Sequence, residues 1–518
     1  MARVNFLGGT YSAPSLIAAA QRSVNLYPEA NPESSQNPRS PVRYTHYQRP
    51  GLTLLNPCPN PGRGRGLYCA TNGDLYAVVD TGVYYINPDW AWTLIGNMLT
   101  PAGTPVSIAD NGSTVVLVDG DTTGNTINLT LARPPTPASF GLIGDPNFLG
   151  ADRVDYLDSF LIFNQPGTPN WYSSLSNAVT FNALDFGTKT AWPDNILTLA
   201  SVHRLVWLFG PYKSEIWFNA GGAAFPFQAM PGVIIEHGCA AKYSVAKQDV
   251  AVYWLSQSPE GARMAMKGSP DLYAKRISTH AIESEWKKYP RVDDAIGGCY
   301  QIIGHPFYLI HFPTADKTWV YDDAVELWHE RAAMDINGAL HRTRESFYAF
   351  AYGVNVGLDF STGALYAIDP GQYVDQSLVG GNPAIAPIEC IRSSPHFIGE
   401  KFERMDYPYI IADVGVGTEA GTGTNDYVNS PWSLAFSNAF GPRAAGHKPQ
   451  ISMRLSFDRG ASWGNKRTRS LGTEGQYDTV PTWWQNGEGR GMVAEFSWAE
   501  PMKIALNGMF TEPVPFET

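Results

Sequence analysis

The chain has 518 residues, of which 44% are hydrophobic, 13% aromatic and only 16% charged, with 50 glycines and 39 prolines. That mixture of strand and turn formers points to an all-β protein and excludes disorder for the bulk of the chain. A formal charge of −11 argues against a protein that grips nucleic acid through clustered Lys and Arg, and suits a surface that DNA slides past without sticking.

Residues 1 to about 62 carry Pro28, Pro32, Pro38, Pro41, Pro50, Pro57, Pro59 and Pro61 among many Asn, Ser and Arg residues. Little sheet or helix is expected there, and the segment reads as an extended N-terminal docking arm. Ser15 to Arg22 could form two helical turns, marginal without a partner surface. The apolar run Leu16 to Ala20 is too short for a signal-peptide core or a membrane span, so a soluble protein is expected.

From Gly66 onward, short strands alternate with turn signals such as Asn72-Gly73 and Thr81-Gly82. Similar units open at Gly66, Val106, Arg153, Ile196, Tyr243, Tyr300 and Glu345. A recurrence of about 40 to 50 residues is the mark of propeller blades, each too small to bury both faces alone. The expected architecture is an all-β β-propeller of six or seven divergent blades over residues 63–384. The arm precedes it, and a smaller C-terminal β-rich domain follows over 385–518, with Thr418 to Gln450 as a long loop. Trp207, Trp217, Trp254, Trp319 and Trp328 fall at strand positions and are read as core.

Ser456, Asp458, Gly460 and Trp463 match the Asp-box spacing S-x-D-x-G-x-x-W. Asp458 can accept turn N–H groups, Gly460 supplies a positive φ, and Trp463 packs beneath the hairpin, so the motif reads as structural. Gly62-Arg63-Gly64-Arg65-Gly66 could cradle an anion, but no strand precedes it and no helix follows. A flexible entry to the first blade is the simpler reading, with Arg63 and Arg65 as the alternative contacts for DNA or an acidic partner. His329-Glu330 and His203-Arg204 read as blade-edge or surface groups. Asp293-Asp294 and Asp322-Asp323 read as turn caps rather than a glycosidase pair. Five cysteines without a CxxC pair indicate neither a zinc site nor a disulfide framework. No catalytic, cofactor-binding or metal-binding residue is expected.

Several phrases, taken in order, resemble one family. They are Gln21-Arg22-Ser23-Val24-Asn25-Leu26-Tyr27-Pro28-Glu29, Leu208-Phe209-Gly210, Ser214-Glu215-Ile216-Trp217 and Phe225-Pro226-Phe227. Ile235-Glu236-His237-Gly238, Ile277 to Glu283 and Thr318-Trp319-Val320-Tyr321-Asp322 continue the match. The chain is similar to the packaged-DNA stabilisation protein, or tail nozzle, of short-tailed bacteriophages. Thr418 to Gln450 is longer than that family leads one to expect. The resemblance implies a homohexameric ring below portal and adaptor, forming the distal DNA channel and retaining packaged DNA until ejection. It implies a place in the virion after assembly in the host cytoplasm. Partners would be the adaptor and portal-proximal tail proteins, with tail spikes, fibres or needle as further neighbours. Double-stranded DNA would pass through the lumen without sequence-specific binding, and no membrane insertion is implied. Gln21, Arg22, Asn25, Leu26, Tyr27, Pro28 and Glu29 would then be the assembly arm, and removing residues 1–45 should leave a folded propeller that no longer joins the tail. The alternatives are a glycan-binding or glycan-cleaving propeller, suggested by the Asp box, and a host-receptor-binding tail tip whose loop 418–450 carries recognition.

Overall fold

The computed structural model describes residues 2–6, 8–12, 20–31, 44–100, 103–222, 225–258, 261–379, 381–398, 403–416, 449–472 and 479–515. Its elementary device is the two-residue hairpin. Asp158-Ser159, His203-Arg204, Ile303-Gly304 and Tyr352-Gly353 each hold both φ angles positive, the turn whose twist matches the strands it joins. Each of these turns links the first strand of a unit to the second.

Among the described residues there are seven four-stranded antiparallel units, four of them opened by such a hairpin. Their first strands are Gly64–Cys69, Ser107–Asp110, Val154–Leu157, Thr198–Val202, Ala246–Gln248, Ile296–Ile302 and Glu345–Ala351. The seven units read from the sequence lie on these sheets in the same order.

Each unit buries its faces against its neighbours. Val115 and Leu117 of unit two pack with Tyr76 and Val78 of unit one, and Trp171 of unit three packs with Leu208 and Trp217 of unit four. The succession returns on itself, because Leu75 and Ile86 of unit one share a core with Val356 and Leu358 of unit seven. Tyr352 Oη of unit seven donates to Ile86 O at 2.6 Å, a polar tie at the same seam. Trp207, Trp217, Trp254, Trp319 and Trp328 are all buried, as their strand positions require.

Unit seven is finished by the N-terminal part of the chain. Gly51–Asn56 pairs antiparallel with Leu365–Asp369 as its fourth strand. The hairpin Val374–Val379 with Asn382–Pro387 then extends that sheet outward. The propeller is therefore 51–56 plus 64–369, rather than 63–384.

The described part of the N-terminal segment is not an extended arm. Ala2–Asn5 and Tyr44–Gln48 both pair with Ile504–Thr511, and Leu26–Ala30 pairs with Tyr44–Gln48. Together with Tyr409–Val416 and Thr482–Trp484 they form one sheet of a C-terminal β-sandwich. The prolines do not prevent this, because Pro28 lies in the edge strand, where a missing N–H costs no ladder bond. The facing sheet contains Cys390–Ser393, Gly491–Trp498, Gln450–Ser456 and Arg467–Ser470. Phe6 and Leu26 share its core with Ile451, Trp483, Phe496 and Leu506. The helix expected at Ser15 to Arg22 lies mostly outside the described residues, and Ala20–Gln21 is a short strand paired with Tyr11–Ser12. The loop expected at 418–450 lies outside them as far as residue 448.

Candidate functional site

The stretch read as a docking arm sits where propeller and sandwich meet. Ser23–Val24 is inserted between two sheets: Val24 pairs in parallel with Glu330 of unit six and antiparallel with Ile391 of the sandwich. A two-residue strand thereby fuses the sixth blade and a sandwich sheet into one sheet of ten strands.

Asn25 is the hinge of this junction. It is fully buried with φ +57°, a left-handed conformation that Asn tolerates better than most residues. Its backbone N–H donates to Glu330 O at 2.9 Å, and its carbonyl accepts the Arg49 N–H at 2.9 Å. Its Nδ2 donates to Glu389 O at 2.8 Å, while Oδ1 accepts from Arg49 Nε and Ala332 N, both at 2.9 Å. One side chain thus ties the end of unit six's outer strand to the sandwich.

Arg49 completes the tie. It is almost wholly buried, and its guanidinium forks onto Asp375, with Nη1 at 3.0 Å from Oδ1 and Nη2 bonded to Oδ2. Nη2 also donates to Ala332 O at 3.2 Å. Arg22 reaches Glu330 at 3.2 Å, beside Lys317 at 2.9 Å, and the two cations hold the buried Glu330 carboxyl below its usual range against the effect of burial. Leu26 and Tyr27 are buried, Tyr27 against His305 and Phe307, and Pro28 is buried in its strand. Gln21 is half-buried in the short hairpin with Tyr11, and only Glu29 is exposed. The assembly-arm residues therefore make their contacts inside the chain.

Beneath this junction lies Glu345, fully buried, whose Oε2 finds no hydrogen-bond partner among the described residues. Burial pushes its carboxyl up to about 7, while Arg49 pulls the other way. A folded-state value above the unfolded one favours the neutral carboxyl, so this contribution is complete below about pH 4.3 and is lost as pH rises through 7. Glu345→Gln should have nearly the wild-type unfolding free energy at pH 4 and exceed it at pH 8 by about 3 kcal/mol. An equal difference at both pH values would contradict this account of Glu345.

Arg65 is not available to DNA. It is fully buried, donates to Thr104 O at 2.7 Å and Asp80 O at 2.9 Å, and pairs with Asp119 at 2.7 Å, pinning unit one to unit two. The glycines around it answer to packing: a Cβ on Gly64 would meet Asp359 O at 2.3 Å, and one on Gly66 would meet Val106 O at 3.1 Å. Arg63 does lie at the surface, its backbone N–H bonded to Asp80 at 2.9 Å. His203-Arg204 forms an exposed turn, whereas His329 is buried on the outer strand of unit six, where burial lowers its pKa. Asp322 is likewise buried, 2.8 Å from His305 Nδ1.

The Asp box belongs to the sandwich, not to a blade. Gly460 has φ +94°, and its N–H donates to Ser456 Oγ at 2.7 Å. Ser456 Oγ in turn donates to Asp458 at 2.6 Å, and the Ser462 N–H and hydroxyl also bond the carboxylate. Those bonds, that of Ser456 foremost, hold the Asp458 carboxyl at about 2. Trp463 packs beneath the Arg454 guanidinium at 4.7 Å.

Arg49, Asp375, Glu345 and Arg392 escaped the reading of the sequence. Arg392 is fully buried and donates to Gly8 O at 2.9 Å. Partners more than 300 residues apart leave no local pattern to find. Among the described residues no group of three His, Cys, Asp or Glu side chains is placed to hold a metal ion.

Seven blades with a sandwich fused to their flank by an internal strand and buried ion pairs define a β-propeller protein with an appended β-sandwich. The chain belongs to the phage stabilisation family (Phage_stabilise): the model described as Bacteriophage P22 Gp10, beta-propeller, matches residues 9–369. It is a structural protein of the phage tail. No curated protein matches the chain. Among solved structures, one titled Streptogramin B lyase structure is 8% identical, with TM-score 0.38, covering 61% of this chain and 96% of that one. Another, titled Crystal Structure of Mitotic Checkpoint Complex, is 11% identical, with TM-score 0.39, covering 62% and 94%. Neither likeness bears on function.

Proposed function

We propose that the protein is the nozzle of the short tail: copies form a ring, expected to be a homohexamer, whose lumen is the distal DNA channel below adaptor and portal. The observation that carries this reading is the family match over residues 9–369, which include the propeller. The ring would retain packaged DNA until ejection, after assembly in the host cytoplasm. The net charge of −11 supports a conduit that does not hold the duplex. A propeller and sandwich locked together by buried pairs suit a part that bears load without changing shape.

The flank away from the sandwich supports lateral packing. In unit six the outer edge is covered by Ser23–Val24, and in unit seven by the hairpin 374–387. Units three and four end instead on Phe181–Thr188 and Phe227–Ile235, strands with no outer partner among the described residues. These edges display Leu184 at 77%, Phe186 at 47% and Ile234 at 46% exposure. Bare edges with apolar side chains invite another chain, and the reading gives that place to the neighbouring copy.

Sedimentation velocity on the pair Leu184→Glu, Phe186→Glu tests this. Exposed substitutions change stability by only about 0.5 kcal/mol, so a folded monomer in place of the ring is the expected result. Rings of wild-type size would remove this face from the interface.

A further inference from the structure

The sandwich carries an open pocket of about 430 Å³ between the Asp-box hairpin and the turn at residues 485–487, lined by Leu455, Phe457, Asp458, Asn465, Arg467 and Asn486 among others. Its size is that of small-ligand sites, roughly 300–1,000 Å³. Nothing in the propeller or the junction uses it.

The lining is largely fixed before any ligand arrives. Arg467 donates through Nη1 to Trp484 O at 3.0 Å and Gln485 O at 3.4 Å, and through Nη2 to Asn486 Oδ1. Asn486 is itself held by its Nδ2 bond to Trp483 O at 2.8 Å. Asp458 is oriented by Ser456 and Ser462. Asn465 is exposed, and its amide makes no side-chain hydrogen bond among the described residues. Phe457 offers a ring that is 38% exposed and is backed by Tyr407 at 6.0 Å.

A carboxylate, a guanidinium and amides are planar groups that pair with adjacent hydroxyls, each of which both donates and accepts. A half-exposed aromatic ring beside them meets the C–H face of a ring compound. We infer that this pocket binds a sugar ring of a neutral oligosaccharide. Nucleic acid fits less well, because a phosphate entering the pocket would face the Asp458 carboxylate as well as Arg467. Cleavage is not part of the inference: glycoside hydrolysis needs a second carboxyl within about 5 to 9.5 Å, and Asp458 is the only acidic residue of the lining. The inference is independent of the nozzle reading.

The test is binding of the full chain to a printed array of neutral and acidic bacterial oligosaccharides, with short duplex DNA as a control. The best neutral binder is then titrated by saturation-transfer NMR. Neutral binding is expected, weakened about tenfold by Phe457→Ala and at least several-fold by Asn465→Ala. Asn465 is exposed and holds nothing in place, so its variant keeps the fold; an unchanged thermal midpoint checks the Phe457 variant. Absence of any neutral binder, binding unaffected by both variants, or binding of DNA alone would overturn the proposal.

Discussion

Removing residues 1–45 is expected to abolish the folded C-terminal sandwich while the propeller still folds. The deletion takes away Val4, Phe6, Leu26 and Tyr27, all buried, together with Asn25. At about 1.5–3 kcal/mol for each large apolar side chain, the loss is on the order of 10 kcal/mol, comparable with the whole stability of a domain. It also strips the edge of Ile504–Thr511 that pairs with Ala2–Asn5. Gly51–Asn56 is retained, so unit seven keeps its fourth strand and the ring can close. Calorimetry should show the propeller transition without that of the sandwich. A truncated chain whose sandwich still melts cooperatively would show that these strands are dispensable, and the segment would again be a candidate docking arm.

The second large effect is at Arg49 and Asp375. Asp375→Ala leaves a guanidinium buried without its carboxylate, and breaking a buried pair from one side costs about 3–5 kcal/mol. Asn25 keeps one bond to Arg49 Nε and Ala332 another to Nη2, which do not replace the charge. The double change Arg49→Met, Asp375→Leu removes both charges and should recover most of the loss, since apolar replacement of a buried pair is often neutral. Guanidinium denaturation of the wild type and these two variants measures both effects. A loss under 1 kcal/mol for Asp375→Ala would mean that the pair does not hold the junction.

The blades were legible because their information is local. A turn such as His203-Arg204 and the strands on either side of it lie within a dozen residues, and the short apolar runs around Leu199 and Trp207, buried on both faces, can be read directly. The Asp box was legible for the same reason, since Ser456, Asp458, Gly460 and Ser462 bond one another. The N-terminal segment was not. Ala2 pairs with Thr511 at the far end of the chain, and a proline-dense stretch looks irregular until the edge strand that holds Pro28 is known. Arg65 looked like a solvated arginine because its partner, Asp119, belongs to the next blade. The pocket beside the Asp box was equally hidden, because Asn486 reaches it from beyond the hairpin.

The ring proposed for this chain lies at the end of the phage tail. Electron microscopy of the purified full chain, with antibody labelling of intact virions, tests it most directly. Closed rings and label at the distal tip of the tail are the predicted result. A protein that stays monomeric and is absent from the tail would contradict the account.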